Sequence, residues 1–564
     1  MTVVQRMNMR EIEERLECLR QKVKEVDHVS IDGQGIVLFI SIGNPAMRAK
    51  VIQVQDSTFD RVWRKLQKQV MNYIDKTYSD PIWMKIDIVS SIETLRFEQL
   101  ESMIAKTKRN YFRQGIAFDK EFRLAFLEQE LNGYALIRKL PTEQFGLDPG
   151  NINNYIRYKH GDKFPFLKER YAGKKVYMFK TKAFFDDNSQ LYELYDGERT
   201  NGIRKTDNIK QELHTLIEQS TKFLMGEILE DGKFEYGYFP CFARRIPTYN
   251  ILRHCSTLYA MGEAYEYLGD ENIRQSIEKS LQYVIDQAII YKDDMAFVVD
   301  EANHNEIKLG SQAHAILALT KLMQVTQNDD YLQLAQQLGR AIIWMQQENG
   351  GFAHVYEAPE ITLKEQFRTV YYDGEAVFAL LRLYALNPEK QWLDAVEHAF
   401  DFLIENDYWK YSDHWLSYAS NEIVMYKPED RYFIFGLKNC QRRLEFMYHR
   451  NTTYPTFLEL TMAAFKMVRK IEELGKDYLF SYIDREFLLE TIDRRAEYQR
   501  VGFYYPEMAM YFKKPEQILH GFFIRHQAFR VRIDDIEHNL SGYIHYLLYR
   551  VPELKSLDLT IQDV

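Results

Sequence analysis

Cysteine is scarce and scattered: Cys18, Cys241, Cys255 and Cys440 are the only four in 564 residues, and no two form a Cys-x-x-Cys pair. This speaks against a disulfide framework and against a cysteine-only zinc site. No stretch reaches the apolar length of a membrane span. The opening segment MTVVQRMNMREIEERLECLRQKVKEV alternates charges where a signal peptide needs an apolar core, so the expected location is the cytoplasm. A Gly-rich phosphate loop is also missing, since Gly33-Gln-Gly35 stands alone before a strand-like run, the wrong context for a dinucleotide fingerprint. Basic excess is lacking too. A net charge of −9 and a pI near 6.0 argue against a general nucleic-acid surface, and no nucleic-acid partner is expected.

What the chain does have is apolar bulk, 46% hydrophobic and 14% aromatic, enough to fill large cores and to exclude a disordered protein. It also repeats. Ser256–Asp270, His314–Asn328 and the run from Glu375 onward align without gaps on Ala260, Ala318 and Ala379. Each copy is an alanine-rich helical pattern, ended by a turn (Gly269-Asp270, Asn328-Asp329, Asn387-Pro388) and followed by a more polar amphipathic helix. The unit is a helical hairpin, and hairpins that cannot bury their apolar faces alone must stack.

The pattern differs before about Arg204. Gly35–Ile42, Ala49–Val54 and Ile82–Val89 read as strands, and Phe59–Tyr73, Phe97–Thr107 and Lys120–Asn132 as helices, which predicts an α/β or α+β domain over residues 1–204. Lys175–Lys180, Ala183–Asp186 and Leu191–Tyr195 predict a small hairpin or meander connecting it to the helical half of the chain.

From 205 to 552 helical periodicity dominates, leaving 553–564 as a tail. Outer and inner helices pair as Asn208–Gly226 with Tyr249–Leu268, Glu271–Ile290 with Leu309–Thr326, Asp329–Gln347 with Gly374–Leu386, Lys390–Ile404 with Asp413–Ile423, Glu429–Met447 with Thr456–Leu474, and Arg485–Gln499 with Ile536–Tyr549. Six hairpins suffice to close a ring of small-residue inner helices wrapped by amphipathic ones. Together with Gln347-Glu-Asn-Gly-Gly-Phe352 after an outer helix, this region resembles the (α/α)6 toroids of carbohydrate-active enzymes: six-hairpin glycosidases, sugar epimerases, and uronic-acid lyases or epimerases. Terpene and lanthionine cyclases use helical toroids of this sort as well. The resemblance implies a mainly α fold and a saccharide ligand.

In a closed ring the first turns of the inner helices meet at one end, where the helix dipoles are positive. Aligning the small-residue anchors brings polar and aromatic groups to that level, where a helical core would want apolar ones. Asp373, Glu375, Asp534 and Asp535 are the first choices for proton chemistry, then His254 and His314. Arg253, Gln312, Tyr372, Asp413, His414, Trp415, Tyr454, Glu459, Arg532 and His538 are expected to bind substrate, with Arg244, Arg245 and Lys308 adding positive charge at the rim. The plainer reading of the aspartates, Asp413 above all, is that they cap helices.

These groups point to a carbohydrate-active enzyme acting on an acidic or phosphorylated saccharide, with hydrolysis, epimerisation and elimination left open. A non-catalytic scaffold holding a glycan or a partner in polysaccharide or cell-envelope assembly is the alternative. A metal-dependent cyclase is the third reading: His254-Cys255, His314, His538 and the neighbouring carboxylates would supply zinc ligands, although their spacing does not demand a metal. Asp534-Asp-Ile-Glu-His538 has no second aspartate-rich partner, and the Asp-x-Asp-Asp acid is absent, so no metal or other cofactor is expected.

Overall fold

The computed structural model describes residues 9–26, 35–77, 81–108, 110–161, 165–197 and 202–554. Gly33 and the tail from 555 lie outside the described residues.

Six helices form the inner wall of a closed ring: Ile251–Leu268, Leu309–Thr326, Tyr371–Leu386, His414–Tyr426, Thr456–Glu473 and Ile533–His545. Each packs on the next, and the sixth returns to the first. The outer wall is Ile209–Gly226, Glu271–Ala288, Leu332–Met345, Lys390–Glu405, Asp430–Gln441 and Arg485–Tyr498. The chain therefore folds as an (α/α)6 toroid, as the six hairpin patterns predict. Small residues make the ring possible. Ala260, Ala318 and Ala379 are buried where neighbouring inner helices approach, and the second inner helix is apolar over most of its circumference, as expected of a helix enclosed on all sides. Short polar side chains start several helices at the correct residue: Asn250 accepts from the Leu252 amide, Asp270 from Asn272, and Asp484 from Phe487. Gly269 ends the first inner helix in a left-handed conformation, at φ 69°.

Short strands that the helical periodicity conceals line the rim. Glu306–Lys308 pairs with Val355–Glu357, which pairs with Thr362–Glu365; Gly237–Phe239 pairs with Arg244–Arg245 and with Arg530–Arg532. Glu306–Lys308 leads directly into the second inner helix and Arg530–Arg532 into the sixth.

The N-terminal domain is built on a sheet ordered Met47–Asp56, Ile36–Asn44, Trp83–Arg96, Lys175–Asp186, Gly115–Ala117, Ala125–Phe126, with Leu191–Glu193 beside Lys175–Asp186. Every pairing is antiparallel, so the domain is α+β. Two sequence expectations need correction. Lys175–Lys180 and Ala183–Asp186 are one long strand inside the sheet, not a connector; the polar break at Thr181 is accommodated because its hydroxyl donates to Asp87 at 2.9 Å. Lys120–Asn132 is not one helix but a turn, the strand Ala125–Phe126 and the short helix Glu128–Gly133.

Side chains alternate across the sheet. Leu38, Ile40, Ile86 and Ile88 pack beneath the helices Met9–Lys24 and Phe59–Thr77, while Val37, Phe39 and Phe185 face Met510 and Tyr511 of the toroid. The toroid residues lie in the long connection between the sixth outer and inner helices. Tyr511 Oη is 2.6 Å from Ser41 Oγ, the Ala49 amide donates to the Met510 carbonyl at 2.7 Å, and Arg204 grips Glu507 through two hydrogen bonds of 2.9 and 2.7 Å. The other end of this connection carries Ile524, His526, Arg530 and Arg532 into the mouth of the ring.

Candidate functional site

The N-terminal ends of the inner helices surround a cavity of about 610 Å³. Eleven of the residues singled out from the sequence line it: Arg253, His314, Tyr372, Glu375, His414, Trp415, Tyr454, Arg532, Asp534, Asp535 and His538.

Glu375 and His314 are neighbours in its wall. Both are buried, and Glu375 Oε2 lies 3.7 Å from His314 Nδ1 with no hydrogen-bond partner of its own. Burial pushes the Glu375 carboxyl well above the usual range; nearby Asp413 adds to this and Arg253 opposes it. Burial also holds His314 down to about 3, so its imidazole is neutral. The Gly310 carbonyl accepts from His314 Nδ1 at 2.8 Å, which puts the proton on Nδ1 and leaves Nε2 as a base. Trp415 meets the His314 ring edge to face at 4.8 Å between centroids. The site thus holds a buried carboxyl, shifted towards its protonated form, beside a neutral imidazole.

Gly310 allows the pair to sit this closely. A Cβ there would lie 2.2 Å from Glu375 Oε2 and 2.8 Å from the Tyr372 ring. Gly310→Ala is expected to displace the carboxyl and to lower kcat by about 100-fold, the scale of an ångström misplacement, while the melting temperature changes little. Steady-state kinetics beside thermal melting checks both.

Asp534 and Asp535 serve as anchors. Asp534 pairs with Arg253 and Arg532, and Asp535 takes a bidentate grip from Arg530 at 2.9 and 3.0 Å. These carboxylates hold three arginines along one wall. Glu537, half a turn further on, accepts from Ser256 Oγ at 2.6 Å and from Thr257 Oγ1 at 3.1 Å, and burial pushes it up to about 7.

The remaining residues chosen from the sequence do not line the cavity. Asp373 is buried behind the wall, where it accepts from His354 Nε2 at 3.1 Å; the other nitrogen of His354 accepts from the Arg368 amide, a closed structural network. His254 turns outward, hydrogen-bonded to Tyr249 Oη at 2.7 Å and to Ser280, and is held near a pKa of about 3 by burial. Gln312 clamps the backbone of Val298 through both amide atoms. Asp413 caps its helix, accepting from the Trp415 and Leu416 amides. Glu459 lies beneath the cavity, accepting from Tyr418 Oη at 3.2 Å and contacting His538 Nδ1 at 3.0 Å. Of the rim cations, Lys308 is buried against Asp300 at 2.7 Å, while Arg244 and Arg245 are exposed. Among the described residues, His254 and Cys255 do not converge with His314 and His538 on one point.

Several lining residues were not among the sequence choices: Tyr371, Tyr411, Arg443, Phe446 and Arg450. Arg443 and Arg450 flank the short helix Leu444–His449, which the periodicity merges with the preceding outer helix. Tyr371, Tyr411, Phe446 and Tyr454 are each more than 40% exposed at the mouth, a cluster of aromatic surface left open to water.

Fold and site together define a six-hairpin helical toroid with an aromatic and ionisable cavity at the ring mouth, joined to an antiparallel α+β domain. Solved structures similar to this chain include a cellobiose 2-epimerase from Bacillus thermoamylovorans B4167, at 13% identity and a TM-score of 0.47 over 61% of this chain and 100% of that one. A D-mannose isomerase (10% identity, TM-score 0.46, 61% and 99% covered) and an unsaturated glucuronyl hydrolase specific for heparin (10%, 0.42, 62% and 99%) are also similar. No protein-family model and no curated protein sequence matches the chain. Chemistry at the cavity is accordingly read from this chain's own side chains.

Proposed function

We propose that the protein is a carbohydrate-active enzyme that moves a proton at a carbon of an acidic or phosphorylated saccharide, as an epimerase, isomerase or lyase does. The observation that carries this reading is the buried Glu375 Oε2, without a hydrogen-bond partner, 3.7 Å from His314 Nδ1 in the cavity wall, where burial favours the neutral forms of both groups. A neutral imidazole takes a proton from a carbon acid, and a carboxylic acid beside it protonates or hydrogen-bonds the oxygen on which charge develops. Glycoside hydrolysis instead needs one ionised carboxylate opposite an acid, and the cavity's other carboxylates are tied to Arg253, Arg530, Arg532 and Ser256.

Sugar-like ligands suit the exposed aromatic rings at the mouth, which cover the apolar face of a pyranose while carboxylates and imidazoles take its hydroxyls. A negative charge on the ligand suits the walls. Five arginines (Arg253, Arg443, Arg450, Arg530 and Arg532) face four carboxyl groups, of which burial keeps Glu375 protonated. Helix N-termini around the cavity add to the positive field.

The test is a panel of uronic acids, uronate oligosaccharides and sugar phosphates incubated with the protein and followed by mass spectrometry and chromatography of isomers. Conversion of an anionic sugar supports the proposal. A sugar that raises the melting temperature without any conversion would mark the cavity as the binding groove of a scaffold and overturn it.

A further inference from the structure

Beneath the acid–base corner lies a second cluster that the proton chemistry does not use. His414, Glu459 and His538, from the fourth, fifth and sixth inner helices, each present a ligand-type atom within 4.8 Å of the other two. Two of the three, His414 and His538, line the cavity, while Glu459 is buried below them. We propose that these three residues form a zinc site, with the fourth coordination position turned towards the cavity.

His414 is 8% exposed, and its Nε2 has no hydrogen-bond partner, an arrangement that costs free energy in a buried imidazole unless something occupies the lone pair. Its Nδ1 lies 3.3 Å from Asp413 Oδ1, which favours the proton on Nδ1 and leaves Nε2 as the ligand atom. Glu459 is prepared in the same way: Tyr418 Oη donates to Oε1, and Oε2 remains on the side of His538. His538 has carboxylates on both edges, Glu459 3.0 Å from Nδ1 and Glu537 3.5 Å from Nε2. With its proton on Nε2, towards Glu537, the Nδ1 lone pair joins Glu459 Oε2 and His414 Nε2 around one point. Each ligand then has its own outer partner, Asp413, Tyr418 or Glu537, which is how metal-bound imidazoles and carboxylates are oriented. Tetrahedral zinc at ordinary bond lengths asks for ligand atoms about 3.3 Å apart, so the trio, whose ligand atoms lie within 4.8 Å of one another, has to draw together on the metal.

Two imidazoles and one carboxylate with an open position are a zinc donor set of the catalytic type. The proposal does not depend on the saccharide reading, because its readout is the metal itself.

The experiment strips the full-length protein with dipicolinate and titrates it with Zn²⁺ against a chromophoric chelator. The expected result is one equivalent of zinc per chain, with affinity lowered by about 10–100-fold in Asp413→Asn, an outer-partner change, and by more than that in His414→Ala and Glu459→Gln. Cobalt(II) bound to the wild-type protein should show the strong visible bands of four- or five-coordination, and Glu459→Gln should lose them. Glu375→Gln should keep full zinc stoichiometry. Absence of zinc binding by the wild type, zinc binding unaffected by the ligand variants, or only the weak spectrum of octahedral cobalt would each overturn the site and leave the trio as a hydrogen-bonded proton relay. The two wild-type measurements decide the matter even where a variant fails to fold.

Discussion

Glu375→Gln is expected to lower turnover by about 10²–10⁴-fold, the range contributed by a positioned general acid or base, and at the same time to stabilise the protein at neutral pH and above. The two effects share one cause. Glu375 Oε2 has no hydrogen-bond partner, and burial first, then Asp413, Glu537 and Asp373, disfavour its ionised form, with Arg253 opposing them. Its folded-state pKa is therefore raised above the unfolded value. A carboxyl of this kind contributes stability fully below the unfolded pKa, and loses that contribution as pH rises through the folded one. Glutamine has the same shape and no charge to bury, so it removes the acid without leaving a cavity. In the wild type, turnover should fall on the alkaline side as Glu375 ionises. His314, held at about 3, should impose no acidic limb in the range where the fold persists. Rate–pH profiles and thermal melting of the two proteins across neutral pH check this. Unchanged turnover, or a melting temperature lowered by the substitution, would contradict it.

Lys85→Met is expected to destabilise the protein by about 3–5 kcal/mol, the cost of leaving one member of a buried ion pair uncompensated. Lys85 Nζ donates to both oxygens of Asp87 at 2.7 Å, and neither side chain is exposed to solvent. The pair lies on the face of the N-terminal sheet that meets the toroid, with Lys85 Nζ 5.8 Å from the centre of the Tyr511 ring. Replacing both partners by apolar residues, as in the double variant Lys85→Met with Asp87→Leu, should recover most of the loss, because no stranded charge remains. Urea denaturation of the single and double variants measures the coupling. The same face supports the connection whose far end carries Arg530 and Arg532 to the cavity, so the single variant should also bind substrate more weakly.

The ring was legible in the sequence because its signal is redundant. Three alanine-anchored copies and six alternations of apolar and amphipathic helices specify the same architecture, and the structure follows those pairs to within a few residues. The rim strands were not legible, since Glu306–Lys308 and Arg530–Arg532 are three residues each and directly abut helices, too short for a period of two to register. The long strand Lys175–Asp186 was split in the reading by Thr181-Lys182, polar residues that the sheet tolerates through the hydrogen bond to Asp87.

At the site, sequence register gave the right height on each helix but not the right side. Asp373 and Glu375 are two positions apart, about 200° around an α-helix, so only one of them can face the axis, and it is Glu375. Adjacent Arg253 and His254 separate in the same way, one lining the cavity and the other turned towards Ser280 of an outer helix. Asp534 and Asp535 line the cavity, but sequence register gave no sign that Arg253, Arg530 and Arg532 fold back onto them. The trio of His414, Glu459 and His538 comes from three helices, and no local spacing announces it.

The central claim is proton transfer at a sugar carbon between Glu375 and His314. The most direct measurement is the reaction of a converted anionic saccharide in D2O, followed by NMR of the product and of recovered substrate. Deuterium at one ring or chain carbon, lost together with turnover in Glu375→Gln and His314→Gln, is the predicted result. Products formed without deuterium at any carbon, or deuterium exchange that both variants retain, would contradict the account.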